Sequence, residues 1–165
     1  CMTYGTIRIF VAINFFGAVA LTKAVLPIFL SQRAGHFVVI SSLVGKFGTP
    51  KRSAYAASKH ALHGFFESLR AEVWRDHVRV TIVCPGYIRT NISYNAINAS
   101  GEKYGRMDLN QLKGMAPETC AWRILQAVAA GKQEVIIGGK ETLGVYLKRF
   151  FPGLFSRIVR RMNPK

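Results

Sequence analysis

HFVVISSLVGKFGTPKRSAYAASKHAL, residues 36–62, joins a short apolar run to a long helical pattern. The run His36–Ser41 is rich in β-branched residues and lies between Gly35 and Ser42. These features predict a strand that is covered on both faces. The pattern after the loop predicts a helix over Ser53–Asp76, because its large apolar residues recur on one side. The stretch therefore indicates a protein in which strands and helices alternate.

The same alternation continues on both sides of this stretch. Helical spacing predicts a helix over Ile9–Gln32, and a proline in the first turn predicts another over Pro117–Ala130. Short β-branched runs predict buried strands at Val78–Pro85 and Glu134–Gly139. Strands separated by helices form a parallel sheet, so we predict the α/β class and part of a doubly wound, Rossmann-like sheet. The carboxyl ends of such strands meet at one edge, where these sheets bind ligands.

The composition limits the class of protein and its partners. A chain of 165 residues with 50% hydrophobic content can bury one sizeable core, and no linker or repeat divides it. A net charge of +15 would attract an anionic cofactor, nucleic acid or an anionic membrane. We expect no nucleic-acid partner, since no known recognition motif accompanies the charge. Three widely spaced cysteines favour a reducing compartment, so we expect a cytoplasmic protein.

The most apolar stretch of the sequence is Ile9–Leu21. It is shorter than the roughly 20 residues that cross a bilayer, and Asn14 lies near its middle. We therefore predict a buried helix at this position. The pattern of a signal peptide is also missing from the sequence, so we expect no secretion.

Two side chains on the helix after the loop indicate a chemical site. Tyr55 and Lys59 are four positions apart, so they project from the same helical face. Ser42 follows the strand, and the loop can bring it to the same place. A nearby cation lowers the pKa of a phenol, which can then exchange a proton with a carbonyl or alcohol oxygen that a serine hydroxyl orients. The hydride of such a reduction would need a nicotinamide cofactor.

These residues resemble the active-site segment of the short-chain dehydrogenase/reductases, a family in which a serine precedes a Tyr-x-x-x-Lys motif by thirteen positions. Ser42 and Tyr55 have that spacing, since 55 − 42 = 13. Asn14, in the stretch INFFG, matches the family's Asn-x-x-Gly motif, and CPGYIRT at residues 84–90 contains its Pro-Gly-x-x-x-Thr turn. The resemblance covers most of the chain, residues 9–139, with its motifs in the family's order.

The resemblance implies a role for each matched residue. Tyr55 would be the acid/base, Ser42 would orient the carbonyl, and Lys59 would lower the pKa of Tyr55 and bind the nicotinamide ribose. Asn14 would hold a water that relays protons to Lys59. Residues 88–114 would cover the substrate. The residues that would line the nicotinamide are Pro85, Gly86, Ile88 and Thr90.

The resemblance has one large gap. Members of the family begin with a βαβ unit whose Thr-Gly-x-x-x-Gly-x-Gly turn holds the cofactor pyrophosphate. Neither that turn nor the family's Asn-Asn-Ala-Gly stretch occurs in this sequence. We therefore expect residues 1–139 to be the carboxyl-terminal part of a dinucleotide-binding domain, with the first βαβ units missing. By itself this part would be inactive and would expose an unpaired sheet edge.

The resemblance also implies the partners of the whole enzyme. They are NAD or NADP, with NADP favoured, a small carbonyl or alcohol substrate, and further copies that pair through the two long helices into dimers or tetramers. An apolar substrate would suit attachment of the carboxyl-terminal tail to a lipid surface. From another class, the alternative is a non-catalytic scaffolding or membrane-associated module that keeps the fold without turnover. His60 and His63 have a spacing found in metal sites, but no third ligand is evident, so we predict packing or surface histidines and no metal.

Residues 140–165 form a basic tail with a helical pattern. Pro152 predicts a break into two short helices. An apolar face beside a basic face binds in the plane of an anionic membrane, which would place a cytoplasmic protein peripherally on that membrane. The alternative is a helix that packs on the domain and exposes its charges. The apolar residues that recur at helical spacing are Leu147, Phe151, Leu154, Ile158 and Met162.

Overall fold

A computed structural model describes residues 3–92, 94, 105 and 109–162. Within these ranges the chain forms a parallel sheet with helices around it, which confirms the predicted α/β class. The strands are β1 (Gly35–Ile40), β2 (Val78–Pro85) and β3 (Glu134–Ile137). The α-helices are α1 (Tyr4–Val11), α2 (Gly17–Gln32), α3 (Ser53–Val73), α4 (Leu109–Leu112), α5 (Pro117–Ala129), α6 (Leu143–Phe150) and α7 (Pro152–Arg161).

The described strands run parallel in the order β1-β2-β3. Ile40 pairs with Val83, and Pro85 pairs with Ile137. The Ser41 amide extends the ladder beyond β1 by donating to the Val83 carbonyl over 2.8 Å. The carboxyl ends of the strands therefore lie at the same edge of the sheet, where the sequence pattern placed them.

Helices pack on both faces of the sheet, as in a doubly wound fold. Val80 and Ile82 of β2 face α3, where they pack with Phe66, and α2 adds to the same layer. Val83 points to the opposite face and packs near Cys120 of α5. Because successive side chains alternate along a strand, α3 and α5 lie on opposite sides of β2. Strand β2 is therefore the centre of the core.

Among the residues that the structure describes, strand β1 is covered on one face only, so the prediction of two covered faces is wrong for this strand. Val39 is 7% exposed beneath α3, whereas Val38 and Ile40 are 39% and 48% exposed. The reason is that α2 and α3 both pack on the face of Val39, while α5 packs beside β2 and β3. In the described part of the chain, β1 is also an edge strand.

The first helical segment is longer and more exposed than the sequence pattern predicted. Helix α1, a π-helical segment at Ala12–Phe16 and helix α2 run on from one another. Ile13, Phe16 and Leu21 are 67%, 60% and 68% exposed, so the predicted buried helix is wrong. The segment rests on α3 and β1 along one side, which leaves the rest of its apolar surface uncovered. By length and composition alone, Tyr4–Gln32 could cross a membrane, a property that some core helices share.

The tail breaks where the sequence predicted. Helix α6 ends at Phe150, and α7 begins at Pro152. Proline lacks the amide that a continuing helix would need, so the break is local in origin. The Phe151 amide still donates to the Leu147 carbonyl over 2.8 Å, which keeps the two helices close together.

Candidate active site

Ser42 stands where the chain leaves β1 and enters a short 3₁₀ segment, Leu43–Gly45. Its hydroxyl oxygen accepts from the Val44 amide over 3.4 Å, as the N-cap of that segment. The hydroxyl also lies 3.4 Å from the Pro85 carbonyl, to which it donates. The ends of β1 and β2 are thereby joined, and the serine is fixed at the carboxyl edge of the sheet.

Tyr55 lies in the first turn of α3, and its phenol is hydrogen-bonded to the Ser42 hydroxyl. Phe10 of α1 packs edge-on against the Tyr55 ring, with centroids 6.1 Å apart. Burial raises the pKa of Tyr55 above its usual value of 10.0, and the Ser42 bond and the Arg52 charge oppose this rise. The two hydroxyls that the sequence placed at one site therefore meet.

Lys59 lies one turn further along α3, with its ammonium nitrogen 5.7 Å from the centroid of the Tyr55 ring. The nitrogen donates to the Ile40 carbonyl over 2.9 Å, at the end of β1. Burial lowers the pKa of Lys59. The predicted lowering of the Tyr55 pKa is wrong for this arrangement, because burial of the phenol outweighs the Ser42 hydrogen bond and the Arg52 charge.

Asn14 lies in the π-helical segment Ala12–Phe16, a local irregularity of a kind that is frequent at functional sites. Its side-chain amide donates to the Ser58 hydroxyl over 3.1 Å, and that hydroxyl donates to the Tyr55 carbonyl over 2.8 Å. Asn14 therefore reaches the helix of the site through Ser58, the neighbour of Lys59. Its predicted role in a water relay stays a prediction.

The turn after β2 is held by an acid that the sequence analysis missed. The Gly86 amide donates to the Ile137 carbonyl over 2.7 Å. Glu141 accepts from the Tyr87 amide over 3.1 Å and from the Gly139 amide over 3.0 Å. These backbone bonds lower the pKa of Glu141 against the opposing effect of burial. The sequence offered one sign that Glu141 has a specific role, because it is the only acid in residues 140–165.

A side chain at position 86 would have to displace the Glu141 carboxylate, which lies close to this residue. A Cβ at this position would lie 2.3 Å from the nearer carboxylate oxygen of Glu141 and 3.0 Å from Leu43. Pro85 and Gly86, predicted to line a nicotinamide, therefore sit in a turn that is packed from two sides. This packing fixes the turn beside Ser42.

Ile88 and Thr90 follow this turn. Ile88 forms a parallel bridge with Met115 and packs near Val83, while its carbonyl accepts from the Gln111 side chain over 2.7 Å. Thr90 is exposed, and its amide donates to the Ile88 carbonyl over 2.8 Å. Of the predicted substrate-covering loop, 88–114, residues 93, 95–104 and 106–108 lie outside the described part of the chain.

A buried histidine lies directly behind the Ser42 turn. His63 is 7% exposed, and its Nε2 atom lies 3.0 Å from the Ser41 hydroxyl oxygen and 3.6 Å from the Cys84 sulfur. Its Nδ1 atom has no hydrogen-bond partner in the described residues, although Glu67 and Glu134 have oxygens 3.5 and 3.6 Å away. The predicted packing role agrees with this burial, but the bond to Ser41 was not foreseen.

The side chains around His63 are spaced like the ligands of a metal site, but their charge and protonation states do not suit a metal ion. Candidate ligand atoms of His63, Cys84 and Glu134 lie within 4.8 Å of one another. Lys46 already pairs with Glu134, and burial raises the pKa of the Cys84 thiol to about 12. A metal ion would have to displace an ammonium group and deprotonate that thiol. We therefore interpret the group as structural.

The burial of His63 makes the stability of the fold depend on pH. Burial and the Lys46 charge lower the pKa of His63 below 6.5, although Glu134 and Glu67 oppose the change. The unfolded chain then binds the proton more tightly, so the free energy of unfolding falls as pH drops through about 6.5. In His63→Gln we expect the free energy of unfolding to fall less between neutral and mildly acidic pH, as measured by urea denaturation.

The matched control is His60→Gln, since His60 is exposed on the same helix and bonds only to the Ala56 carbonyl among the described contacts. This control is expected to keep the pH dependence of the parent chain. The prediction would be contradicted if the free energy of unfolding of His63→Gln changed with pH as steeply as that of the parent chain.

The comparisons with known proteins agree with this geometry. The family model described as short chain dehydrogenase matches residues 2–100. Dehydrogenase/reductase SDR family member 7B of Bos taurus is 50% identical over 147 residues, which cover 88% of this chain and 45% of that protein. Dehydrogenase/reductase SDR family protein 7-like of Drosophila melanogaster is 44% identical over 154 residues, which cover 93% of this chain and 47% of that protein. The chain therefore spans about half the length of these curated relatives.

Solved structures share the fold. A short-chain dehydrogenase from Streptomyces avermitilis has a TM-score of 0.75 at 27% identity, covering 98% of this chain and 64% of that one. A short chain dehydrogenase from Burkholderia cenocepacia J2315, solved in complex with NADP, has a TM-score of 0.73 at 24% identity. The match covers 90% of this chain and 57% of that one. The family match includes Ser42, Tyr55 and Lys59. On the sequence match and the fold together, the chain belongs to the short-chain dehydrogenase family.

Proposed function

We propose that this chain carries the catalytic part of an NAD(P)-dependent oxidoreductase that interconverts a carbonyl and an alcohol. The observation that carries the proposal is the meeting of the Ser42 hydroxyl, the Tyr55 phenol and the Lys59 ammonium at the carboxyl edge of the sheet. Membership of a dehydrogenase family supports it. The substrate that we propose is a small apolar ketone, aldehyde or alcohol.

Tyr55 moves the proton in this proposal. During reduction its phenol donates to the carbonyl oxygen, while the Ser42 hydroxyl holds that oxygen in place. A bound nicotinamide would supply the hydride for the carbonyl carbon, or accept it in the reverse reaction. Because burial keeps the pKa of Tyr55 above 10.0, the phenol is protonated at neutral pH. Reduction is therefore favoured near neutrality, and alcohol oxidation should gain rate at alkaline pH.

Residues of this chain would hold the nicotinamide end of the cofactor. Lys59 would exchange its bond to the Ile40 carbonyl for the ribose hydroxyls. Pro85 and Gly86 would line the nicotinamide from the turn that Glu141 holds, and Thr90 would add an exposed hydroxyl. Among nicotinamide cofactors we favour NADP, since its additional phosphate is attracted by a net charge of +15.

We expect the 165-residue chain to be inactive by itself, because these residues would hold only one end of the cofactor. The open side of β1 supports this expectation. A groove of about 290 Å³ lies between α2 and β1, with Val25, Phe29, Val38 and Ile40 among its lining residues. Its position gives a further strand a place to pair with β1.

The alternative function is a non-catalytic scaffolding or membrane-associated module. Its support is the apolar surface that the N-terminal helices and the tail leave exposed. The test is a hydride-transfer assay on the complete protein, with NADPH and NADH against a series of apolar aldehydes and ketones. An enzyme loses turnover when Tyr55 is changed to Phe and stays folded, whereas a scaffold shows no turnover to lose.

We also propose that the whole enzyme pairs with a second copy through the N-terminal helical segment and α3. Ile13 and Phe16 are more than half exposed, and both lie on that segment. Phe16→Glu would place a charge in this interface, so we expect it to turn a dimer into a monomer, measured by light scattering. Trp122→Glu, at an exposed position on α5, should leave the molecular mass of the dimer unchanged. A monomeric parent protein, or a dimeric Phe16→Glu variant, would refute the pairing.

A further inference from the structure

Helices α6 and α7 leave a row of large apolar side chains uncovered. On α6, the exposed residues Leu143, Tyr146 and Phe150 recur at i, i+3 and i+7, the spacing of one helical face. The same spacing of exposed residues continues at Phe151, Leu154, Ile158 and Met162. We call these residues the C-terminal apolar patch. A single exposed apolar residue is ordinary, but a row along two successive helices marks an interaction surface.

Basic residues border the patch, and no acid interrupts it. The sequence has no Asp or Glu between Leu143 and Met162. Bases at the last turns of both helices also complement the negative ends of the helix dipoles. The basic residues of the two helices are Lys148, Arg149, Arg157, Arg160 and Arg161.

Other residues of the two helices fix them to the domain. Phe155 of α7 packs against Phe47, with ring centroids 5.2 Å apart. The Lys148 ammonium donates to the Lys46 carbonyl over 2.8 Å. Neither Phe155 nor Lys148 belongs to the patch, so the helices can stay docked on the domain while the patch faces outward. The sequence alternative of a tail that packs on the domain is therefore compatible with an exposed apolar face.

This combination of surfaces fits an anionic lipid bilayer better than other partners. Helices with Phe and Leu on one face and Arg or Lys on the other lie in the plane of such a bilayer. A nucleic acid would use the positive charges but would leave the apolar row in water. A second copy that paired through this patch would bring the bases that border it close to their counterparts, with no acid among them to compensate.

We propose that the C-terminal apolar patch inserts into the interfacial layer of an anionic membrane, with the bordering arginines on the lipid phosphates. This docking does not depend on turnover at Tyr55. It would bring the lipid surface to the side of the domain that carries Phe47, a residue of the loop between Ser42 and Tyr55.

The test is flotation of the chain with phosphatidylcholine vesicles that contain about 30% phosphatidylserine, at low salt. Flotation separates bound protein from aggregates, which do not rise with lipid. Each base near such a surface contributes about 1 kcal/mol, so changing Arg157, Arg160 and Arg161 together to Gln should lower the partition coefficient about a hundredfold. Leu154→Gln combined with Ile158→Gln should weaken flotation as well, because it removes apolar surface from the patch.

The matched control changes three exposed bases elsewhere, Lys23, Lys113 and Lys132, to Gln. It removes the same charge from the chain, so continued flotation of this variant shows that the tail is responsible and not the net charge. Far-ultraviolet circular dichroism checks that every variant is folded. Equal flotation of the triple-arginine variant and the parent, or equal flotation on pure phosphatidylcholine, would overturn the proposal. So would a loss of dimer mass in the tail variants without any loss of flotation, because the patch would then bind another copy.

Discussion

Replacing Tyr55 with Phe is expected to lower kcat of the complete protein by about 10²- to 10⁴-fold, the usual contribution of a positioned general acid. The phenol oxygen is the atom that would exchange the proton, and Ser42 is hydrogen-bonded to it. Phe keeps the ring that packs against Phe10, so the fold should survive. The measurement is the steady-state oxidation of NADPH with an apolar ketone, beside a thermal denaturation curve.

The control for this variant is Tyr146→Phe, which removes a phenol hydroxyl from an exposed position on α6. It should leave kcat unchanged. A Tyr55→Phe protein that keeps more than about a tenth of the parent kcat would exclude Tyr55 as the main proton carrier. Loss of the thermal transition in the same variant would show that the Tyr55 hydroxyl is needed for folding. That result would contradict the expectation that the ring contact with Phe10 is enough to keep the fold.

Glu141→Ala is expected to destabilise the chain by about 2 kcal/mol, near the low end for charged hydrogen bonds because the carboxylate is partly exposed. The change leaves the Tyr87 and Gly139 amides without their acceptor. It also opens a space beside Gly86, so the turn predicted to line the nicotinamide should loosen. We expect a lower urea midpoint and, in the complete protein, a higher KM for the cofactor.

The matched control is Glu72→Ala, an exposed acid on α3. It should change stability by less than about 0.5 kcal/mol, as is usual for surface positions. The low pKa of Glu141 gives a second readout. Its stabilising effect is present above the unfolded pKa of about 4.3 and is lost as pH falls through the lower folded value, so parent and variant should converge in acid. A constant difference in stability at all pH values would contradict the role given to the carboxylate.

Much of the fold could be predicted from local patterns in the sequence. Runs of β-branched residues and helical spacing depend only on neighbours along the chain, so the strands and the break at Pro152 could be predicted. The common direction of Tyr55 and Lys59 follows from the geometry of any α-helix. The place of Ser42 at the end of a strand suggested it as their partner, and the family resemblance strengthened that choice, because no local pattern fixes which loop residue reaches a helix thirteen positions away.

Other parts of the site depend on contacts that no local pattern contains. Glu141 bonds to the Tyr87 amide across 54 positions, 141 − 87, and Glu134 lies near His63 across 71 positions, 134 − 63. Both relations arise only when β2 and β3 have paired. Sequence spacing could therefore identify His63 as a candidate for packing, but not its bond to Ser41.

The sequence by itself determined which segments become strands and helices, and which side chains share a helical face, because these follow from backbone geometry and side-chain shape. Only the tertiary structure decided which of those faces are covered. Val38 and Val39 have the same chemistry, yet in the described part of the chain only Val39 has a helix above it. The pKa of Tyr55 also depends on the tertiary structure. The nearby lysine in the sequence led us to expect a lower pKa, whereas burial of the phenol raises it. Desolvation depends on everything that surrounds a group, and that is set when distant segments pack together.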